Sequence, residues 1–387
     1  MRKKKSIFNK KISRREFIKK SVIALGGLYI GYQGFNKLLL TNLFSNNDNG
    51  LGKWSKEAYH YNKLGVAVQC TLCPHECVLS RGERGFCGVR KNYNNKLYTL
   101  VYGNPCAVHV DPIEKKPLFH FLPATKAFSI ATAGCNFRCL NCQNWEISQS
   151  KPEETDNIDL MPEAVVANAI LQDCKTIAYT YSEPSVFYEY MYDTSKYAHS
   201  KGLKNLFITN GYMNEKPLRE FCQHLDAANV DLKGFDKKVL LKLTGGDFDN
   251  VLKTLKILKE ENVWFEITNL IVPTYTDDLD KIKEMCVWIV DNLGRDVPLH
   301  FSRFMPQYKL LYLPPTPVST LEKAKKIALG AGIKYVYIGN VPGHEANNTY
   351  CVNGHLCIER QGYVITQNNV VDGKCRECGE SIAGVWK

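Results

Sequence analysis

The sequence predicts an α/β fold: a partial, TIM-like (β/α)6 barrel with a cysteine-rich segment before it and a zinc-ribbon-like tail after it. Three observations predict it. From residue 126 onward, short β-branched or apolar runs alternate with amphipathic stretches, the pattern of strand–helix repeats that builds a parallel sheet. The candidate strands number six or seven, short of the eight that close a complete barrel. Most of the fifteen cysteines fall in close-spaced sets before, inside and after the repeating region.

The order along the chain follows from composition. Residues 1–44 read as an address, 45–59 as a linker that opens with SNNDNGLGK, 60–125 as the cysteine-rich segment, 126–345 as the barrel and 346–387 as the ribbon tail. The candidate strands are 127–131, 176–181, 205–209, 229–232, 263–272, 299–304 and 334–338. Amphipathic stretches near 162–173, 185–201, 216–225, 249–261, 277–292 and 319–330 lie between them. Met161-Pro162-Glu163 places a proline and an acid at a helix start, where a missing N–H costs nothing and negative charge is favoured. In such sheets the working residues sit at the C-terminal strand ends.

The formal charge is +11, but residues 1–20 carry ten Lys or Arg against one acid, Glu16, so the remainder holds only +2. A nearly neutral body excludes the basic footprint of a nucleic-acid binder. Within the basic start, Ser13-Arg14-Arg15-Glu16-Phe17-Ile18-Lys19-Lys20 followed by the apolar run 22–30 reads as a twin-arginine export signal. No A-x-A cleavage site follows, so the expectation is a membrane-anchored or periplasmic protein whose N-terminus contacts the membrane.

Disulfide frameworks belong to small secreted domains that lack a core, and this chain is not small. Close-spaced thiols instead suit metal centres. Cys106, Cys174, Cys222 and Cys286 stand apart and are expected to be small buried apolar side chains.

After the first candidate strand comes Gly134-Cys135-Asn136-Phe137-Arg138-Cys139-Leu140-Asn141-Cys142. Three cysteines at C-x3-C-x2-C can hold three irons of a [4Fe-4S] cluster and leave the fourth iron without a protein ligand. An open metal position distinguishes a catalytic site from a closed structural one. That iron would take the amino and carboxylate groups of S-adenosylmethionine (SAM), which predicts radical SAM chemistry with Cys135, Cys139 and Cys142 as the catalytic ligands. The competing reading is a closed zinc or iron–sulfur site completed from elsewhere.

The stretch Asp111-Pro112-Ile113-Glu114-Lys115-Lys116-Pro117-Leu118-Phe119-His120-Phe121, together with CNFRCLNCQNWEIS, resembles the radical SAM member of the AmmeMemoRadiSam system. That group is similar to pyruvate formate-lyase (glycyl radical enzyme) activating enzymes, and the likeness runs from about Leu64 to Trp386. The resemblance implies SAM contacts from Ser182 and Glu183 after the second strand, Asn210 after the third, and Asp231 and Lys233 after the fourth. It also implies contacts from Arg303, Gly339 and Asn340 at late strand ends. A carboxylate and a hydroxyl can accept hydrogen bonds from the SAM ammonium, while Ser182-Glu183-Pro184 also satisfies a helix cap. A one-electron donor of flavodoxin or ferredoxin type and a protein or peptide substrate are further implications. Because SAM and such donors are cytoplasmic supplies, a cytoplasmic location is the alternative to export. The alternative functions are radical conversion of a small molecule beside partner proteins, and a multi-cluster electron carrier without SAM.

Two further cysteine sets flank the barrel. Cys70, Cys73, Cys77 and Cys87, at C-x2-C-x3-C-x9-C, make a metal site holding either zinc or a second iron–sulfur cluster. Cys351, Cys375 and Cys378 form a zinc-ribbon-like knuckle in which Gly354 stands where a fourth cysteine is expected, leaving His355 or Cys357 to complete it.

Overall fold

The computed structural model describes residues 51–387. The 1–44 address, with its paired arginines, lies outside the described residues. Among the described residues no helix is long and apolar enough to cross a membrane.

One eight-stranded sheet organises the fold. Its strands, in chain order, are β1 (Ala107–Pro112), β2 (Lys126–Ala131), β3 (Thr176–Tyr179), β4 (Lys204–Thr209), β5 (Ala227–Asp231), β6 (Trp264–Ile271), β7 (Leu299–Arg303) and β8 (Val336–Gly339). Spatial order follows chain order, and β2 through β8 all run parallel. These are the seven strands expected from the apolar runs. The eighth, β1, pairs antiparallel with β2 at the edge of the sheet.

Between strands run α1 (Pro162–Leu171), α2 (Tyr188–Ser200), α3 (Glu215–Cys222), α4 (Lys237–Thr244), α5 (Phe248–Glu260), α6 (Leu279–Asn292) and α7 (Val318–Ala331). Pro162 starts α1 as expected. Asp236, Asp247 and Asp278 cap α4, α5 and α6 by accepting from backbone N–H groups that have no partner inside the helix.

The folded unit begins at Trp54, inside the stretch expected to be linker. Lys56 and Glu57 pair antiparallel with Thr99 and Tyr98, and Trp54 is buried. Polar composition suggested a tether, whereas a single large aromatic side chain supplies enough apolar area to anchor the segment. Short antiparallel strands at Tyr61–Leu64, Ala67–Cys70 and Val78–Leu79 follow. Of the solitary cysteines, Cys174, Cys222 and Cys286 are buried and Cys106 is half-buried.

The N-terminal ends of the strands are closed by a floor. Ile113, Leu118 and Phe121 cover Ala127, Ala178, Leu206 and Ala227 in one apolar cluster. The last residues of the chain complete it, with the Leu122 N–H donating to Val385 O (2.7 Å) and the Val385 N–H to His120 O (2.7 Å). Beside this cluster the Glu266 carboxylate, fully buried, accepts from the N–H groups of Phe119 (3.0 Å) and His120 (2.7 Å) and from His300 Nε2 (2.6 Å).

Burial pushes the His120 imidazole down to about 4 from its ordinary 6.5. Burial alone would raise Glu266, but the His300 imidazole and the backbone donors hold its carboxyl below the usual value. Both shifts have the same consequence in acid. Below pH 6.5 the unfolded chain binds a proton at His120 that the native state refuses, and in stronger acid Glu266 loses its favoured charge. Stability is therefore expected to fall as pH drops from 6.5 toward 4, by about 3 kcal/mol through His120 alone. Denaturant midpoints measured across this range test it; an unchanged midpoint contradicts the assignment.

Candidate active site

Every SAM-site residue expected from the sequence lies at a C-terminal strand end. The Cys135 loop follows β2, Ser182 and Glu183 follow β3, and Asn210 follows β4. Asp231 ends β5 with Lys233 two residues beyond, Arg303 ends β7, and Gly339 ends β8 with Asn340 next to it.

The Cys135 loop is held from several sides. Its Arg138 and Leu140 N–H groups donate to Thr244 O (2.7 Å) and Leu243 O (2.8 Å) at the end of α4. Gly246 allows that close approach, since a Cβ there would stand 1.9 Å from the Phe137 ring. Gly134 turns the chain into the loop with φ +94°. A Cβ at Gly134 would meet Cys87 O at 2.7 Å, so glycine is required on two counts.

Cys135 and Cys139 are buried and Cys142 is half-buried. Burial pushes the Cys135 thiol far above its ordinary value and the Cys139 thiol up to about 12, although Lys233 draws the latter back. Thiols must lose their protons to bind metal, so loading this site releases protons into solution. Cys135 Sγ accepts from the Phe137 N–H (3.3 Å) and Asn210 Nδ2 (3.9 Å), and Cys142 Sγ lies 3.0 Å from Ser148 Oγ.

Three groups of candidates emerge. Glu183, buried, accepts from Thr209 Oγ1 (2.7 Å), the Asn210 N–H (2.8 Å) and the Ser185 N–H (3.1 Å). Its carboxylate thus ties the end of β3 to that of β4 and caps the turn leading to α2. Its neighbour Ser182 is buried with an Oγ that meets no hydrogen-bond partner. Lys233 and Asp231 form an ion pair (2.8 Å). Across the sheet, Arg303 Nε donates to Thr316 O (2.8 Å), while Asn340 Nδ2 donates to Ser302 Oγ (2.9 Å) and Arg303 O (3.2 Å).

Sequence reasoning missed Asn136. Its amide donates to Tyr212 O (2.7 Å) and Ser185 Oγ (3.2 Å) and accepts from Asn210 Nδ2 (2.8 Å), joining three strand ends. Its place inside the cysteine motif was the only sequence signal. Asn141, also in the motif, is buried with Oδ1 unpartnered.

These observations fit the expected group. Two of the three thiols, Cys135 and Cys142, receive N–H or O–H neighbours, and the unmatched Ser182 hydroxyl, after the neighbouring strand β3, can pair with a polar ligand. Buried polar atoms without partners are uncommon in folded chains and point to a ligand.

In the tail the ligand atoms of Cys351, His355, Cys375 and Cys378 all lie within 4.8 Å of one another. His355, rather than Cys357, joins the three cysteines where Gly354 stands; the Cys357 thiol is directed at His355 O (3.5 Å) and touches the Cys375 sulfur from outside that group. Cys351 and Cys378 sulfurs are 3.8 Å apart, the spacing that tetrahedral ~2.3 Å zinc–thiolate bonds require. His355→Ala is expected to weaken zinc binding by more than the ~10–100-fold that losing an outer-shell partner costs. Cys357→Ala, which removes only a partner of the Cys375 sulfur, should cost no more than that range. Competition with a zinc chelator checks both.

Several known proteins are similar to this chain. The Radical SAM superfamily profile matches residues 129–288. The uncharacterized protein MJ0808 of Methanocaldococcus jannaschii is 50% identical over 334 residues, 84% of this chain and 98% of that protein. The pyruvate formate-lyase 1-activating enzyme of Escherichia coli K12 is 24% identical over 220 residues, 53% of this chain and 89% of the enzyme. A domain of a pyruvate-formate lyase-activating enzyme from Bacteroides vulgatus, known from its crystal structure, overlays with a TM-score of 0.38 at 16% identity, covering 42% of this chain and 98% of that one. The cysteine loop after β2 thus falls inside a matched superfamily region, and the chain belongs to the radical SAM superfamily, with likeness to pyruvate formate-lyase-activating enzymes.

Proposed function

We propose that Cys135, Cys139 and Cys142 hold a [4Fe-4S] cluster whose fourth iron binds SAM, and that the enzyme abstracts hydrogen from a protein or peptide. The observation that carries this reading is the three-thiol loop at the C-terminal strand ends, beside the unpartnered Ser182 hydroxyl. When bound, the cluster and SAM together supply a 5′-deoxyadenosyl radical by one-electron cleavage of the sulfonium.

The chain's own residues hold and screen that chemistry. Asn210 and the Phe137 N–H donate to the Cys135 sulfur, which stabilises negative charge on it. Lys233 does the same for Cys139 through its charge. Ser182 offers an acceptor to an ammonium, and Arg303 at the far side offers a cation to a carboxylate. The Asp231–Lys233 pair keeps the intervening charge balanced.

Activation of a glycyl radical partner is the finer form of the proposal, supported by likeness to activating enzymes over 220 residues. The test is anaerobic reconstitution with dithionite and SAM, with 5′-deoxyadenosine as the expected product. No product from protein carrying an intact cluster would favour an electron carrier instead.

A further inference from the structure

We propose that Cys70, Cys73, Cys77 and Cys87 hold a second iron–sulfur cluster, closed by four thiolates, that passes electrons to the Cys135 site. All four cysteines line one cavity, together with His75, Phe86, Asn136 and Ser185.

The tail site makes the contrast. Its ligand atoms crowd within 4.8 Å, as a single ion demands. Among the described residues the four N-terminal thiols form no such group, and neither do Cys135, Cys139 and Cys142. Thiols that share a pocket yet stand too far apart for one ion suit a multi-iron core bridged by sulfide. Having four cysteines, this core would leave no iron open to SAM, so its role is electron transfer.

Its placement fits that role. His75, between Cys73 and Cys77, donates through Nε2 to the carbonyl of Asn136 (2.8 Å), the residue after Cys135. Gly134 packs so closely on Cys87 O that no side chain fits between them. Arg138 covers the Phe86 ring at 4.1 Å and donates to Cys135 O (2.8 Å). The two loops therefore interlock. Three of the four outer thiols, Cys73, Cys77 and Cys87, are half-buried, with Cys70 buried, against one of the three inner thiols, Cys142, so the outer site is the more open of the two to a donor.

In the relay, one electron leaves a reduced low-potential flavodoxin or ferredoxin, reduces the outer cluster, and moves on to the inner one. No bond is made or broken and no proton moves in this transfer. The relay rests on the radical SAM reading of the Cys135 loop, but the metal assignment does not.

The experiment separates them. In the full chain carrying Cys135→Ala, Cys139→Ala and Cys142→Ala together, anaerobic reconstitution should still give about four irons per chain. Their reduced paramagnetic signal should not respond to SAM. Zinc in place of iron, or loss of all iron, overturns the assignment. Separately, Cys87→Ser should lower flavodoxin-driven 5′-deoxyadenosine formation by at least about tenfold, with the dithionite-driven rate preserved because that small reductant reaches the inner cluster directly. Equal falls with both reductants, or none with flavodoxin, overturn the relay.

Discussion

Cys139→Ala is expected to abolish 5′-deoxyadenosine formation while leaving a soluble, folded protein. Cys139 is buried in the middle of the motif, and alanine removes a ligand without introducing a polar group that needs a partner. The neighbouring backbone hydrogen bonds from Arg138 and Leu140 to the end of α4 do not involve its side chain, so the loop keeps its course. Iron content should drop by about four atoms per chain, and the thermal transition of metal-free protein should stay where it is. Iron analysis, the visible absorbance of the cluster and product assay form one set of measurements. A variant that keeps the cluster and its activity would mean that another group ligates the iron.

Arg90→Ala is expected to be the most destabilising single change among side chains that are not metal ligands. Arg90 and Glu189 have side chains only 2% and 0% exposed. They meet in a paired fork, NH1 to Oε1 at 3.1 Å and NH2 to Oε2 at 2.7 Å, and Oε1 also accepts from the Tyr59 N–H (2.9 Å). The pair bolts the cysteine-rich segment to α2. Removing the arginine leaves a carboxylate buried without its countercharge, which costs about 3–5 kcal/mol. That is a large part of the ~5–15 kcal/mol that holds a typical domain together. Joint replacement, Arg90→Met with Glu189→Leu, should recover much of the loss, because no charge is then stranded. Urea midpoints of the single and double variants decide the matter; a single variant as stable as the parent would show that water reaches Glu189.

What could be read from the chain depended on how local the signal was. The seven parallel strands are mostly apolar or β-branched runs, in keeping with strands covered on both faces, and each was visible. β1 was not, since its residues include exposed His109 and Val110 and it ends on a proline; an edge strand needs less apolar surface. α4 was also missed, being eight residues long and held mainly by its Asp236 cap and its packing.

The site divides in the same way. Ligand cysteines announce themselves through close spacing, but the partners that arrange them do not. Asn136 reaches Ser185 and Tyr212, and His75 reaches Asn136, across distances in sequence that no window spans. Glu183 shows a different limit. Its sequence context allowed both a cap and a ligand contact, and the structure commits three hydrogen bonds to the cap and the β3–β4 tie. The choice of His355 over Cys357 likewise turned on a backbone reversal at Gly354, φ +83°, that spacing alone does not reveal.

Residues 383–385 line the base of the barrel instead of hanging from its side. A protein trimmed after residue 345 would lose Val385 from beneath Phe121 and the Ala383 carbonyl from His120. Water would then reach the carboxylate and imidazoles at the strand beginnings, where native folding keeps them dry. The partial barrel would then be open at the strand beginnings as well as at the cysteine end. The chemistry proposed at the cysteine mouth calls for a dry base, and Ala383 and Val385 supply part of it.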